Sequence, residues 1–423
     1  MSDDRPADQL PPDLLRGLTR PRLTRRRALQ VGGLSALGLA LTACSIPGAA
    51  GSKLGLSAAR KEIEKFWLNQ HKTGQFRFGN WPLYIDVNPK NQNDHPTLDQ
   101  FTKQTGIKVT YAEPIQDVGS FFGKVQPQLA AGQDIGYDLV VITNGLYLDK
   151  MIGLDYLTPL DQTRMPNFYA NASDLVKDPS FDRGNVYTMA WQSGITGIGY
   201  DPKLVGREIT SWQDLMDPAF RGKIGMFADT EDLPSSALCA IGVNPETSTP
   251  GDWRKAAAWL RKQRPLVRKY YEQDYVAPLS KGDIWASMAW SGDIFQANAS
   301  GANLKFVVPK EGAPIWTDNM CIPGHAQHPL DAMTYMDWVY QPSVAAALAE
   351  GINYITPVPT SAANIIKDAN ALTGQDKASL KEFASDPLIF PSVADYTKLH
   401  RYRVLDAQEQ KVWNSLFEPI YQS

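Results

Sequence analysis

The chain has 423 residues, with 42 Lys and Arg against 45 Asp and Glu, 43% hydrophobic residues, 11 Trp and 3 Cys. That length calls for two or three domains rather than one simple core. A net charge of -3 excludes a disordered polyelectrolyte and a nucleic-acid binder acting through bulk positive charge, and three cysteines exclude a disulfide-built scaffold.

Residues 1 to 43 carry seven arginines and four aspartates and end in an apolar run from Val31 to Ala43. As helix that run reaches about 20 Å, short of the roughly 20 residues needed to span a bilayer. A basic segment, a short apolar run and small residues before a cut are the layout of a secretory signal. Within it Thr24-Arg25-Arg26-Arg27-Ala28-Leu29-Gln30 resembles a twin-arginine translocation motif. Leu41-Thr42-Ala43-Cys44 resembles a bacterial lipobox, which implies that Cys44 becomes the lipidated first residue of the mature chain. The plainer alternatives are an ordinary signal with a chance cysteine, or an anchor that is never cut. Without the leader the count is 35 basic against 41 acidic residues, so the mature protein is near -6. Residues 44 to 74, small and polar and then charged, read as a tether with room for one short helix.

From residue 75 short apolar strands alternate with helices. Gln75 to Trp81 reads as a strand, and Thr97 to Thr105 as a helix capped by Thr97 and stopped at Gly106. Ile107 to Tyr111 alternates as a strand, Ser120 to Ala131 is amphipathic, and Tyr137 to Ile142 is the apolar run of a buried parallel strand. This alternation predicts an α/β fold. Ala190 to Tyr200 is glycine-spaced and β-branched, suited to an edge strand or to a crossover between two lobes. Thr210 to Pro218 opens a helix, and Arg221 to Phe227 leads into a strand of a second α/β lobe. Trp253 to Tyr271 reads as a basic helix pair broken near Pro265, and the chain from Pro342 onward as helical. Cys239 and Cys321 each sit in an apolar stretch, which favours buried free thiols over a disulfide.

Asn80-Trp81-Pro82-Leu83-Tyr84, Tyr137-Asp138-Leu139-Val140-Val141, Thr210-Ser211-Trp212-Gln213-Asp214-Leu215, Ala289-Trp290-Ser291-Gly292-Asp293 and Val308-Pro309-Lys310-Glu311-Gly312 follow one another in this order. With the lipobox they resemble the spermidine/putrescine substrate-binding proteins of bacterial ABC importers, over roughly residues 76 to 360. The resemblance implies a two-lobed, venus-flytrap periplasmic-binding-protein fold of type II whose lobes exchange strands at a hinge. It places residues 75–192 plus 293–340 in lobe one and 196–290 plus 343–423 in lobe two.

A polyamine is an alkyl chain with two or more ammonium groups whose pKa values lie near that of lysine. Its site needs carboxylates to compensate ammonium desolvation and aromatic faces to pack on the methylenes. The family motifs point to Trp81 and Tyr84 after the first strand, and to Thr143 for a hydroxyl. They add the acidic pair Asp229 and Asp232, Trp290 with Asp293, Trp316 with Asp318, and Tyr354. These carboxylates are expected to stay ionised and to bind by charge alone, with no catalytic residue, metal or cofactor.

The alternatives are a binding protein for another cation, a sugar or a metal complex, and a lipid-anchored carbohydrate hydrolase using Asp229 and Asp232 as an acid/base pair. No nucleophile elbow or zinc motif accompanies that pair, and His325 and His328 read as a surface loop. The expected partners are a polyamine, the permease subunits of an ABC importer and the membrane through the lipid anchor. Nucleic acid is not among them, and the chain is expected to be a monomer, exported to the outer face of the cytoplasmic membrane.

Overall fold

The computed structural model describes residues 56–88, 90–392 and 395–422. The leader and Cys44 lie outside the described residues, as does the tether up to residue 55. Among the described residues there are ten strands: β1 Gln75–Gly79, β2 Lys108–Ala112, β3 Leu139–Thr143, β4 Thr188–Tyr200, β5 Ile224–Phe227, β6 Val267–Tyr271, β7 Ala286–Trp290, β8 Lys305–Val307, β9 Ala313–Cys321 and β10 Leu399–His400. Their order is β2-β1-β3-β9-β4-β7-β5-β6, with β8 on β4 and β10 on β9.

Two long strands carry the two-lobed plan. β1, β2 and β3 are parallel, and β9 runs antiparallel to β3 with Val141 opposite Met320. β4 pairs with β9 through its first half, from Thr188↔Cys321 to Ile195↔Ile315. Its second half pairs with β7, from Thr196↔Trp290 to Tyr200↔Ala286. The glycine-spaced segment is therefore the crossover between the lobes. β7, β5 and β6 continue the second sheet in parallel. Separate hydrophobic cores follow. One gathers Phe76, Phe78, Phe101, Trp191 and Tyr335, and the other Trp212, Trp253, Leu260, Met288 and Phe417.

Four expectations shift. The tether ends earlier than residue 74: Leu56–Leu68 is a helix whose Trp67 is fully buried and donates its indole N–H to the Pro159 carbonyl at 2.8 Å. The helix Pro96–Thr105 does end at Gly106, but its start is held by Asp86, whose carboxylate accepts the Thr97 N–H (2.8 Å) and hydroxyl. The basic helix pair is one helix, Pro250–Gln263, followed after Pro265 by the edge strand β6. Val267 and Tyr271 are buried there while Arg268 and Lys269 face out.

The lobe boundaries also move. Ser291–Ala299 stays with the second core through Ile294 and Ala297, so the return crossing is β9 rather than residue 293. The helix Pro342–Ile352 packs Val344, Leu348 and Ile352 into the first core instead of the second. The chain crosses again only near β10, after which the helix Ala407–Tyr421 joins the second core through Trp413 and Phe417. Cys239 and Cys321 are both buried free thiols.

Candidate functional site

The crossover strands bring the chemistry together because their facing residues alternate between packing and polar roles. On β9, Trp316 and Asp318 both reach the lobe junction and both are buried. The Asp318 carboxylate accepts the Tyr84 hydroxyl at 2.7 Å and the Thr143 hydroxyl at 2.5 Å. Thr143 is the last residue of β3, paired directly with Asp318. Trp316 lies across β4 at Gly194, where any Cβ would overlap the indole ring. Its N–H donates to the Thr196 hydroxyl at 3.2 Å.

Thr196 hands the network to the second lobe. Its hydroxyl donates to Asp232 at 2.5 Å, the first residue of the buried helix Asp232–Ala240. Asp232 also accepts the Trp290 indole N–H at 2.8 Å and the Tyr402 hydroxyl at 2.7 Å. Trp290 closes β7 and packs on Phe227 with ring centroids 4.7 Å apart, while its backbone N–H donates to the Tyr275 hydroxyl at 2.9 Å.

Tyr354 sits at the middle of this arrangement. Its hydroxyl donates to Asp293 at 3.0 Å, and its ring meets Trp316 at 5.5 Å and Tyr84, edge-on, at 5.7 Å. Burial and the nearby charges of Asp293, Asp318 and Asp232 push its phenol well above the ordinary tyrosine value. The ring lies so close to Gly292 that any side chain there would strike it.

The electrostatics differ from the expectation that all the carboxylates stay ionised. Burial raises Asp318 to about 6, against the lowering effect of the Thr143 and Tyr84 hydroxyls. Burial and the Asp232 charge raise Asp229 to about 7. Asp232 itself is raised by burial, opposed by Thr196, Trp290 and Tyr402. The cause is shared: among the described residues no Lys, Arg or His lies within ion-pair distance of Asp229, Asp232 or Asp318. A desolvated carboxylate without a cation favours its proton.

Eight of the ten candidates thus join one connected cluster: Tyr84, Thr143, Asp232, Trp290, Asp293, Trp316, Asp318 and Tyr354. Trp81 and Asp229 stand at its margin. The Trp81 indole N–H is spent on the Val141 carbonyl at 3.0 Å, leaving only its ring for other contacts. Asp229 caps the helix that starts at Asp232, one oxygen accepting the N–H groups of Glu231 (2.8 Å), Asp232 (2.5 Å) and Leu233 (3.3 Å). The i, i+3 pair is therefore a cap and an inward-facing acid rather than two equivalent carboxylates. His325 and His328 lie in the turn before the helix Pro329–Trp338, away from this cluster.

Sequence reasoning missed Thr196, Tyr275, Tyr402 and Glu231. Thr196 was visible as a hydroxyl beside the crossover glycines, whereas Tyr402 lies in the tail with no motif around it. Glu231 spans the lobes: its carboxylate accepts the N–H of Leu146 at 2.5 Å, at the start of the helix Leu146–Gly153.

Residues 97–375 match the model of the bacterial extracellular solute-binding protein family. The spermidine/putrescine-binding periplasmic protein of Escherichia coli (strain K12) is 30% identical over 305 residues, covering 72% of this chain and 81% of that protein. A putrescine-binding periplasmic protein of Pseudomonas aeruginosa is 29% identical over 352 residues, covering 78% and 88%. Among solved structures, a spermidine/putrescine ABC transporter substrate-binding protein of Streptococcus pneumoniae superposes with a TM-score of 0.67 at 23% identity, over 83% of this chain and 99% of that one. A lipoprotein of Treponema pallidum gives the same TM-score at 18% identity, over 82% of this chain and 100% of that one, and both structures share the fold. Sequence and fold together place this chain among the bacterial extracellular solute-binding proteins.

Proposed function

We propose that this protein captures a linear polyamine of the putrescine or spermidine type between its lobes and delivers it to the permease of an ABC importer. The observation that carries this reading is the convergence of Asp232, Asp293 and Asp318 on the Tyr354 ring at the lobe junction. Asp232 and Asp318, buried beside aromatic faces with no Lys, Arg or His within ion-pair distance among the described residues, supply what a desolvated ammonium needs. The names of the E. coli and P. aeruginosa relatives support the same cargo class.

In this reading the ammonium groups ionise the carboxylates on arrival and take over acceptor positions now used by the Tyr84, Thr143 and Tyr354 hydroxyls. Trp316, Trp290, Tyr354 and the outer face of Trp81 line the alkyl chain, with cation–aromatic attraction of about 0.5 to 2 kcal/mol for each well-placed ring. Asp318 and Thr143 belong to the first lobe and Asp232 and Trp290 to the second. A ligand touching both favours the closed arrangement by its differential affinity. The helix cap formed by Asp229 gives no support to acid/base hydrolysis.

The leader and Cys44 support export and anchoring at the outer face of the cytoplasmic membrane. Among the described residues no helix is long and apolar enough to cross a membrane. The deciding experiment is calorimetric titration of the exported protein with putrescine, spermidine, spermine and agmatine. Saturable heat with at least one amine is expected, and absence of both heat and thermal shift with all of them would remove the cargo assignment.

A further inference from the structure

We propose that Tyr402, carried in by the tail of the chain, is a positioning residue of this site: with Thr196 it occupies one oxygen of Asp232 and leaves the other to receive an ammonium group. The proposal rests on the polyamine reading above. Tyr402 lies beyond residues 97–375, so the family match does not reach it. Its hydroxyl nevertheless donates to Asp232, 170 positions away in sequence, at 2.7 Å.

The tail has little freedom around this contact. β10 brings it alongside β9, with Leu399 opposite Ala313 and His400 opposite Pro314, shortly before Trp316 and Asp318 on the same strand. Gly312 stands at φ +108°, and a Cβ there would strike the His400 ring. The arginines on either side of Tyr402 bind different lobes. Arg401 donates to the Leu175 carbonyl of the first, and Arg403 donates to the Glu246 carbonyl at 3.3 Å and the Glu409 carboxylate at 2.7 Å in the second. Tyr402 itself is only 6% exposed, and its ring belongs to the first core. A ring held in one lobe thus presents its hydroxyl to an acid of the other.

An ionised carboxylate offers about four acceptor positions, two on each oxygen. Oδ1 of Asp232 accepts the Thr196 hydroxyl at 2.5 Å and the Tyr402 hydroxyl at 2.7 Å, which fills it. Among the described residues Oδ2 accepts only the Trp290 indole N–H, at 2.8 Å. The open position is therefore on Oδ2, and an ammonium is directed there instead of being shared between two oxygens. The same donors favour the charge an ammonium needs: burial raises Asp232, and Thr196, Trp290 and Tyr402 work against that rise. Asp229 and Glu231 precede Asp232 on its own segment, and the Tyr354 and Tyr402 phenols face it from elsewhere. Among the described residues no Lys, Arg or His lies within ion-pair distance to help. Without the Tyr402 hydroxyl, Oδ1 would also be open and the carboxyl would hold its proton more firmly.

The test is calorimetric titration of the whole exported protein with putrescine, with Tyr402→Phe introduced into the wild type and into Asp232→Asn. The change removes one hydroxyl and keeps the ring. In the wild type it should weaken putrescine about tenfold at pH 7.5, as expected for a hydrogen bond to a charged group. The loss should grow toward pH 6, where the proton competes better for a carboxylate with one donor fewer. In Asp232→Asn the same change should cost less than about twofold, since the charge it serves is gone. If Asp232→Asn binds too weakly to titrate, the pH series decides. Thr196→Val opens the other position on Oδ1 and should show the same growing loss, which decides the matter if Tyr402→Phe does not fold. Unchanged affinity, equal losses in both backgrounds, or a loss that is the same at both pH values would overturn the proposal and leave the polyamine reading standing. A wild-type protein that binds no amine would take down the polyamine reading itself, and this proposal with it.

Discussion

Trp316 rests directly on Gly194, with no room between the indole ring and the strand for even a methyl group. The two residues face each other across β9 and β4, the strands that join the lobes. Gly194 is thus required by ring packing at the lobe junction, where composition alone suggested only backbone freedom.

Gly194→Ala should therefore displace the Trp316 ring and disturb its bond to Thr196. Overpacking of this kind costs about 1–3 kcal/mol. The expected outcome is a melting temperature lower by a few degrees, with amine affinity reduced at least tenfold in titration. Unchanged affinity would separate the Trp316 position from ligand binding.

Asp293→Asn should weaken amine binding at least tenfold, because an ammonium is left without its partly buried countercharge. Tyr354→Phe removes only the hydroxyl that donates to Asp293 at 3.0 Å and should cost much less. Equal losses in the two variants, measured by calorimetry, would show that Asp293 acts by orienting Tyr354 rather than by charge.

Proton release should accompany binding. Asp318 near 6 and Asp229 near 7 both stand above their ordinary value of 3.8. A raised folded-state value contributes stability that is complete below pH 3.8 and is lost as the pH rises through about 6 and then 7. An ammonium favours the opposite, ionised form. Putrescine affinity should therefore fall between pH 7.5 and pH 5.5, and at pH 6.5 the binding heat should vary with the ionisation enthalpy of the buffer. A heat independent of buffer would mean that these groups are already ionised before binding.

The cysteines divide by role. Cys239 and Cys321 should resist thiol reagents until the protein is unfolded, since both are buried and burial holds the Cys239 thiol up at about 12. Reducing agent should leave the melting temperature unchanged. Cys44→Ala should move the exported protein from the membrane fraction to the soluble fraction, and membrane retention would point to an uncut leader instead.

Much of the first lobe was legible because its strands and helices have clean periods. β1, β3 and the helix Pro96–Thr105 fall within a few residues of their expected limits. β6 was not legible: Val267–Tyr271 follows a basic helix without a glycine, and its two outward-facing cations suit either structure. Eight of the ten candidate site residues meet in one cluster because motif and chemistry pointed the same way. Tyr402 and Glu231 escaped because their meaning comes from partners 170 and 85 positions away, Asp232 and Leu146. No local pattern encodes such a distance.

The pairing of β3 with β9 sets Val140 against Cys321, and the first core is finished only by the helix Pro342–Ile352. The first sheet therefore stays incomplete until most of the chain has been synthesised, and the second core waits still longer, for the helix Ala407–Tyr421. Contacts so remote in sequence slow folding, and both halves complete their cores only late in the chain. The nascent chain remains unfinished during nearly all of its synthesis, which gives the choice of export route a kinetic dimension: a carrier of unfolded chains has a long interval in which to act, and a carrier of folded ones must wait for the last helix.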